Sequence, residues 1–210
     1  NTMKWHEAES DPELLELWVA DMDFLPVPEI RDAVINYAET HIFGYPYPSD
    51  ELYQSIIDWE KNQHGYSVDK ASIVLIEGVV PAISTAIQSF TKEDDAVLIN
   101  TPVYPSFARS VRLNNRKLIE NSLVKVNGHF EIDFEQLERD IVDNDVKLYV
   151  FCSPHNPGGR VWTKEELTMV ADLCQKHGVL LVSDEIHQDL ALYGNKHISL
   201  NTISNAYKDF

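Results

Sequence analysis

From about residue 70 onward, short apolar runs alternate with segments in which apolar residues recur at helical spacing. The runs lack the polar alternation of a half-exposed sheet, so we interpret them as buried strands. Strands joined by short helical segments are typical of α/β proteins with a mostly parallel sheet and helices on both faces. The predicted strands are residues 73–76, 96–99, 117–123, 148–152 and 179–184, of which 117–123 is the weakest.

The helix boundaries follow from capping residues. Ser49 is a candidate N-cap, and Asp133 and Thr163 are each followed three residues later by Gln or Glu, the spacing of a capping box. Gly178 is the expected end of the helix that Thr163 begins. Helices are also predicted over 30–38, after two prolines, over 81–90, and from about Pro105. The predicted apolar side of the second helix is Leu52, Ile56, Trp59 and Gln63, and that of the last helix is Leu167, Val170, Ala171 and Cys174.

The strand at 179–184 is almost wholly aliphatic until it stops at Asp184, so we predict a central strand buried on both faces. A carboxylate at the carboxyl end of a parallel strand lies where open α/β sheets bind ligands. Such an acid is costly to bury unless a cation meets it. We therefore expect Asp184 to face a cationic ligand or side chain.

Composition excludes several classes of partner. The chain has 210 residues and a formal net charge of −17, which argues against nucleic acid or an anionic membrane as partner. No stretch approaches the roughly 20 apolar residues that span a bilayer, and the first residues lack a signal-peptide core, so we expect a cytoplasmic protein. Cys152 and Cys174 show no disulfide or zinc-ligand spacing, so we predict reduced, buried thiols and no metal site.

The candidate binding residues all lie at turns from strand to helix. Backbone N–H groups at Val79 and Val80 would suit a phosphate at a helix start, although neither a dinucleotide motif nor a P-loop is present. Tyr104 offers a ring face, and Asn156 is the polar centre of a loop rich in Pro and Gly. Together with Asp184, these groups would suit a phosphorylated aromatic cation.

A family resemblance follows from these motifs. Pro-His-Asn-Pro-Gly-Gly at 154–159, followed by Ser-Asp-Glu-Ile-His at 183–187, resembles the large domain of fold-type I pyridoxal-phosphate enzymes. Further motifs resemble the MalY/PatB branch, the cystathionine β-lyase or C–S lyase group, more than the true aminotransferases. They lie at 18–24, 43–45, 78–81 and 101–104, so the resemblance spans nearly the whole chain.

The resemblance implies roles around the ring of pyridoxal 5'-phosphate. Asp184 would pair with the protonated pyridine nitrogen, which keeps the ring an electron sink. Tyr104 would stack on the ring, and Asn156 would donate a hydrogen bond to its phenolic oxygen. His187 occupies the place where aminotransferases commonly carry a Tyr that contacts the same oxygen, and this departure favours the lyase branch.

The resemblance also implies roles for the phosphate and the substrate. Val79 and Val80 would bind the phosphate through their backbone N–H groups. Tyr45 would reach the phosphate of the neighbouring subunit's cofactor, which implies a homodimer with shared sites. Tyr45 taken alone, in a Gly/Pro turn, favours a packing role. Ala20 and Asp21 would line the substrate pocket.

Two parts that such enzymes require are absent from the sequence. The Schiff-base lysine is expected beyond Phe210, in a Ser-x-x-Lys-like context that the chain lacks, and we interpret Lys208 as a surface lysine. The arginine for the substrate carboxylate is also absent. We therefore expect an N-terminal fragment that is inactive alone. Residues 1–48 would form an N-terminal arm and first helix, and 49–210 an incomplete cofactor-binding large domain.

For the whole enzyme, the resemblance implies β-elimination of a small sulfur amino acid. Cystathionine or cysteine S-conjugates would yield a thiol, pyruvate and ammonia, with the lysine acting as general base. Two alternatives stay open. One is an aminotransferase of class I and II that depends on the same cofactor, and the other is a non-catalytic regulatory binding protein of the same fold.

Overall fold

The computed structural model describes residues 2–6, 8–9, 11 and 13–203. The chain divides into two compact units, Asn1–Tyr47 and Pro48–Phe210, which are described separately below. Lys208 lies outside the described residues. No helix in the described part of the chain is both long and apolar enough to cross a membrane.

The first unit contains one helix, α1 (Pro28–Thr40), where the sequence predicts one. A proline in its first turn has the backbone angle that a helix start requires. None of the α1 side chains is buried within this chain. The unit instead has one buried lysine, Lys4, whose Nζ donates to Asp23 Oδ1 at 2.6 Å and to the carbonyl oxygen of Asp21 at 3.1 Å.

The second unit is built on a parallel sheet of four strands in the order β2-β1-β5-β6. The sheet confirms the predicted fold class, since every neighbouring pair is parallel. A separate antiparallel hairpin, formed by β3 and β4, was not predicted. The strands are β1 (Ala96–Thr101), β2 (Lys117–Ser122), β3 (Val124–Val126), β4 (His129–Glu131), β5 (Val146–Cys152) and β6 (Leu180–Asp184).

Helices cover both faces of this sheet, as predicted. Side chains from α3 (Val79–Phe90) and α4 (Ser106–Leu113) pack into a core on one face. Those from α5 (Phe134–Asp143) and α6 (Lys164–His177) pack into a second core on the other. Both thiols are free and buried in these cores, which confirms the prediction for Cys152 and Cys174.

The predicted helix ends are largely confirmed. Ser49, Asp133 and Thr163 each accept a hydrogen bond from a backbone N–H in the first turn, and Thr163 forms a complete capping box with Glu166. Gly178 ends α6 in a left-handed conformation. The half-buried side of α2 (Asp50–His64) differs from the predicted one and shares only Ile56 with it. That side is formed by Tyr53, Ile56, Ile57, Glu60 and His64.

The predicted central position of β6 is wrong within the described residues. β6 lies at the edge of the sheet and is half-buried over most of its length, whereas β1 and β5 occupy the centre. Like β5, it contains an apolar run, but a strand becomes central only when strands pair with both of its edges. Among the described residues, β6 has one such partner, β5.

The predicted strand at 73–76 is also wrong. These residues follow a 3₁₀ turn (Lys70–Ser72) and do not join either sheet, and Val74 is 83% exposed. An apolar run without a pairing partner cannot form a ladder of hydrogen bonds, whatever its composition. The helix after it begins at Val79 rather than residue 81, so Val79 and Val80 are the first residues of α3 and not part of a turn.

Candidate functional site

Three candidate residues of the second unit lie at the carboxyl ends of the parallel strands. Tyr104 follows β1, Asn156 follows β5, and Asp184 is the last residue of β6. Asp184 is in register with Cys152, the last residue of β5, so the ends of these two strands are adjacent. These strand ends are where open parallel sheets bind ligands.

Asp184 is a buried acid with few partners of its own. The residue is 8% exposed, its Oδ1 accepts the N–H of Ile186 at 3.1 Å, and its carbonyl accepts the N–H of Ser153 at 2.9 Å. Burial raises the pKa of Asp184, and the Ile186 N–H and the charge of His187 offset this rise in part. A cation placed at this carboxylate would therefore be strongly favoured.

The loop that carries Asn156 is anchored to the end of β5. The Cys152 Sγ accepts the N–H of Asn156 at 3.4 Å and donates to the carbonyl oxygen of Pro154 at 3.4 Å. Burial raises the pKa of Cys152 to about 11, so it acts here as a thiol. The buried Trp162 donates its indole N–H to the Cys152 carbonyl at 2.8 Å. The loop is tightly shaped, as its composition predicts.

His155 is the buried ring within the same loop. Its Nδ1 accepts the N–H of Gly158 at 3.1 Å, so Nε2 carries the proton of the neutral ring. Nε2 is buried and has no hydrogen-bond partner among the described residues. Burial, with the nearby charge of Arg160, lowers the pKa of His155 to about 4, so the ring is neutral at pH 7.

The start of α3 presents backbone donors for which the described residues provide no partner. Its N-cap, Gly78, has a φ of 111° and ψ of 158°, and no side chain in the described part of the chain caps the helix. The first N–H groups of a helix have no partner within it, so those of Val79 and Val80 remain for an external acceptor. The helix dipole adds positive potential at the same place. This end of α3 can bind an anion.

The clefts of the second unit bring the candidate residues together in two pairs. Val79 and Asp184 line a cleft of about 610 Å³ beside β6, and Asn156 and His187 line one of about 660 Å³. Tyr104 lines neither cleft, is 43% exposed, and packs edge-on against Phe107 with ring centroids 6.3 Å apart. An anion-binding helix start and a buried acid therefore share one cleft.

The candidate residues of the first unit are exposed within this chain. Ala20 and Asp21 are exposed and follow Val19, which has a φ of 57°. The Asp21 carbonyl is held by Lys4. The packing role that the sequence favours for Tyr45 is not supported, because this side chain is fully exposed within the chain.

Sequence reasoning missed two residues beside Asp184. Glu185 and His197 form a pair with 3.0 Å between Oε2 and Nε2, and their side chains are 16% and 0% exposed. Glu185 lies within the Ser-Asp-Glu-Ile-His motif, between the predicted site residues Asp184 and His187, so its position was a usable signal. His197 lies in an irregular segment, and no local pattern indicates its contact with a residue twelve positions earlier.

Comparison with known proteins places these motifs in a family. Residues 12–208 match the model for aminotransferase class I and II. Cystathionine beta-lyase PatB of Bacillus subtilis (strain 168) is 42% identical over 195 residues, which cover 93% of this chain and 50% of that protein. Protein MalY of Escherichia coli (strain K12) is 33% identical over 91% of this chain and 50% of its own length.

A solved structure agrees with these relatives. Cystalysin from Treponema denticola, which contains a pyridoxal 5'-phosphate cofactor, has a TM-score of 0.92 and 37% identity, over 99% of this chain and 54% of its own. The chain spans about half the length of the curated relatives it matches. The resemblance to the MalY/PatB branch is confirmed, and the chain belongs to the aminotransferase class I and II family.

Proposed function

We propose that this chain is the cofactor-binding part of a carbon–sulfur β-lyase that depends on pyridoxal 5'-phosphate. Its substrates would be cystathionine or cysteine S-conjugates, which yield a thiol, pyruvate and ammonia. The observation that carries the proposal is the shared cleft of Asp184 and the start of α3. Similarity to PatB and to cystalysin supports the choice of cofactor and reaction.

The donor set fits the cofactor at two points. The phosphate would accept hydrogen bonds from the N–H groups of Val79 and Val80, at a helix start that no side chain among the described residues caps. The pyridinium would lie beside Asp184. Burial raises the pKa of this carboxyl group, and a neighbouring cation would offset that rise by favouring the ionised form. When bound, the cofactor supplies an electron sink for negative charge at the α-carbon of the substrate. Asp184 sustains that property by keeping a proton on the ring nitrogen.

The other residues would orient the ring. Tyr104 would stack on one face, and its edge-on packing against Phe107 limits its movement. The Asn156 amide would donate to the phenolic oxygen, from a loop that Cys152 anchors. His187 would contact the same oxygen. Ala20 and Asp21 would line the substrate pocket, and Lys4 holds the backbone there.

Lyase and aminotransferase activities are separated by one experiment. The purified full-length protein, loaded with pyridoxal phosphate, is incubated with cystathionine without an amino acceptor. Release of pyruvate and free thiol over many turnovers supports elimination. A single turnover that resumes only when a keto acid is added would instead indicate an aminotransferase and overturn the lyase assignment.

The Schiff-base lysine is proposed to lie outside these 210 residues. Mixed with pyridoxal phosphate and reduced with borohydride, the 210-residue chain should show no stoichiometric label at a single lysine by mass spectrometry. Stoichiometric labelling of Lys208 would contradict this. Residues 1–48 are accordingly proposed as the N-terminal arm and first helix, and 49–210 as an incomplete large domain.

A second copy of the chain is the proposed partner of the first unit. Apolar side chains on and after α1 are largely exposed, and a surface of this kind marks an interface. They include Ile30, Val34, Ile42, Phe43 and Tyr45. Tyr45 would then reach the cofactor phosphate of the neighbouring subunit.

Two measurements test this dimer. Light scattering of the full-length protein should give twice the subunit mass, and a monomeric mass would overturn the proposal. Co-expressed Tyr45→Ala and Asp184→Ala subunits should recover activity above that of either variant alone, because a mixed dimer has one site with both native residues.

We also infer a cytoplasmic location, which the free thiols Cys152 and Cys174 support.

A further inference from the structure

Glu185, which directly follows β6, contacts three polar groups from this strand and from the segment that contains His197 and Leu200. It lies 3.0 Å from His197 Nε2, and it accepts hydrogen bonds from Ser183 Oγ at 2.9 Å and from the Leu200 N–H at 2.9 Å. These groups lower the pKa of Glu185 against the effect of its burial. An ionised carboxylate can accept hydrogen bonds but cannot donate them. His197 must therefore be the donor and carry a proton on Nε2. The pair joins β6 to the segment that contains His197 and Leu200.

His197 extends this connection towards α2. Its ring packs edge-on against that of His64, with centroids 5.8 Å apart. His64 Nε2 lies 2.8 Å from Asp189 Oδ1, and the same oxygen accepts the indole N–H of Trp59 at 3.0 Å. The chain on both sides of His187 is thus fixed to α2 and to the 197–200 segment.

Within the described residues, the Asp184 side chain has fewer partners, although its backbone carbonyl accepts the N–H of Ser153. The Asp184 Oδ1 accepts a hydrogen bond from the backbone N–H of Ile186, two residues further along the chain. Consecutive side chains of an extended strand point to opposite sides. Asp184 is the last residue of β6, so the direction of its side chain depends both on its backbone pairing with β5 and on how the residue after it is held.

We propose that Glu185 and His197 are positioning residues that fix the end of β6, so that Asp184 and His187 face the cofactor in one orientation. This inference rests on the proposed function. Neither residue needs to touch the cofactor. Freed from its three partners, the strand end would take several orientations, and the Asp184 carboxylate would meet the pyridine nitrogen in only some of them.

The test uses the full-length protein and three variants. Glu185→Gln removes the charge and keeps the shape, and Ser183→Ala removes one hydrogen bond to Glu185. The matched control is Glu138→Gln, since Glu138 pairs with His177 at 2.8 Å on the surface between α5 and α6. The readouts are the dissociation constant of pyridoxal phosphate and the visible circular dichroism per bound cofactor, which reports how the ring is held.

We expect Glu185→Gln to raise the dissociation constant by about tenfold, by analogy with metal sites, where losing a partner that orients a ligand residue has an effect of this size. The visible dichroism per bound cofactor should fall as well. Ser183→Ala should shift both in the same direction by about threefold, the effect of one weak hydrogen bond. Glu138→Gln should leave both unchanged.

A merely structural role would lower the unfolding temperature of Glu185→Gln but leave affinity and dichroism unaltered at a temperature where the variant is folded. That result would overturn the inference. If Glu185→Gln fails to fold, Ser183→Ala decides: an unchanged dichroism overturns the inference and a reduced one supports it. Failure of the unaltered protein to bind pyridoxal phosphate would instead overturn the proposed function.

Discussion

Asp184 and Glu185 are consecutive buried carboxylates, and their pKa values are shifted in opposite directions. The pKa of Asp184 is raised, because burial outweighs the Ile186 N–H and the charge of His187. The pKa of Glu185 is lowered, because His197, Leu200 and Ser183 together outweigh its burial. The chain thus stabilises the charge of Glu185 with its own groups and leaves that of Asp184 to a ligand.

The difference separates a structural acid from a binding acid. Neighbouring acids whose pKa values are pushed apart by their surroundings are typical of functional sites. An acid already satisfied by its own fold gains little from a ligand, whereas one that is poorly satisfied gains much. The burial of Asp184 therefore lowers the stability of the cofactor-free chain. The neighbouring Glu185–His197 pair holds the end of the strand that carries Asp184.

The largest effect is expected from Glu185→Ala. It leaves His197 and the Leu200 N–H buried without their partner, so the free energy of unfolding of the cofactor-free full-length protein should fall by about 4 kcal/mol at pH 7. Since the folded pKa of Glu185 is lowered, this contribution is present above its unfolded pKa and is lost as pH falls through the folded one. Urea unfolding at several pH values measures it. Glu138→Ala, which loses an exposed pair, should cost much less.

A somewhat smaller effect is expected at His155, which remains neutral when buried. Its pKa is lowered from 6.5 to about 4, so its stabilising contribution is present above pH 6.5 and is lost as pH falls towards 4. The loss should be on the order of 3 kcal/mol. His155→Asn should flatten the pH dependence of urea unfolding in this range. The exposed His129→Asn serves as control, and equal curves for both variants would refute the prediction.

The cofactor side of the comparison is tested at the start of α3. Val79→Pro deletes one N–H donor at a helix position where proline fits. It should weaken binding of pyridoxal phosphate about tenfold, the worth of one hydrogen bond to a charged group. Val79→Ala loses similar packing but keeps the donor, and fluorescence titration should show it close to the unaltered protein. Equal weakening in both variants would mean that the side chain, not the N–H, matters.

The smallest effect is a gain in stability. Asp184→Asn removes the cost of burying a poorly paired charge, so the cofactor-free full-length protein should be about 1 kcal/mol more stable at pH 7. Because the folded pKa of Asp184 is raised, the gain is present above that pKa and disappears as the pH falls below the unfolded value. Saturating pyridoxal phosphate should reverse the order of the two proteins. Thermal unfolding with and without cofactor measures this, and the exposed Asp143→Asn should change neither.

The sequence predicts what depends on neighbouring residues. Helix caps such as Thr163 and the buried strand β5 are local patterns, and the position of Asp184 at a strand end follows from where an apolar run stops. The order of the strands is not local. An apolar run occurs both in central β5 and in β6 at the edge of the sheet, and the pairing that separates them is decided by distant segments. His197 was missed for the same reason.

The open side of β6 has a practical consequence for the isolated chain. Leu180, Leu181 and Val182 are half-buried, and no strand in the described part of the chain pairs with their outer edge. Unpaired backbone groups next to aliphatic side chains are templates on which further chains add as strands. Recombinant preparations of the 210 residues should therefore aggregate as concentration rises, and a charged substitution such as Leu181→Lys should delay the onset of turbidity.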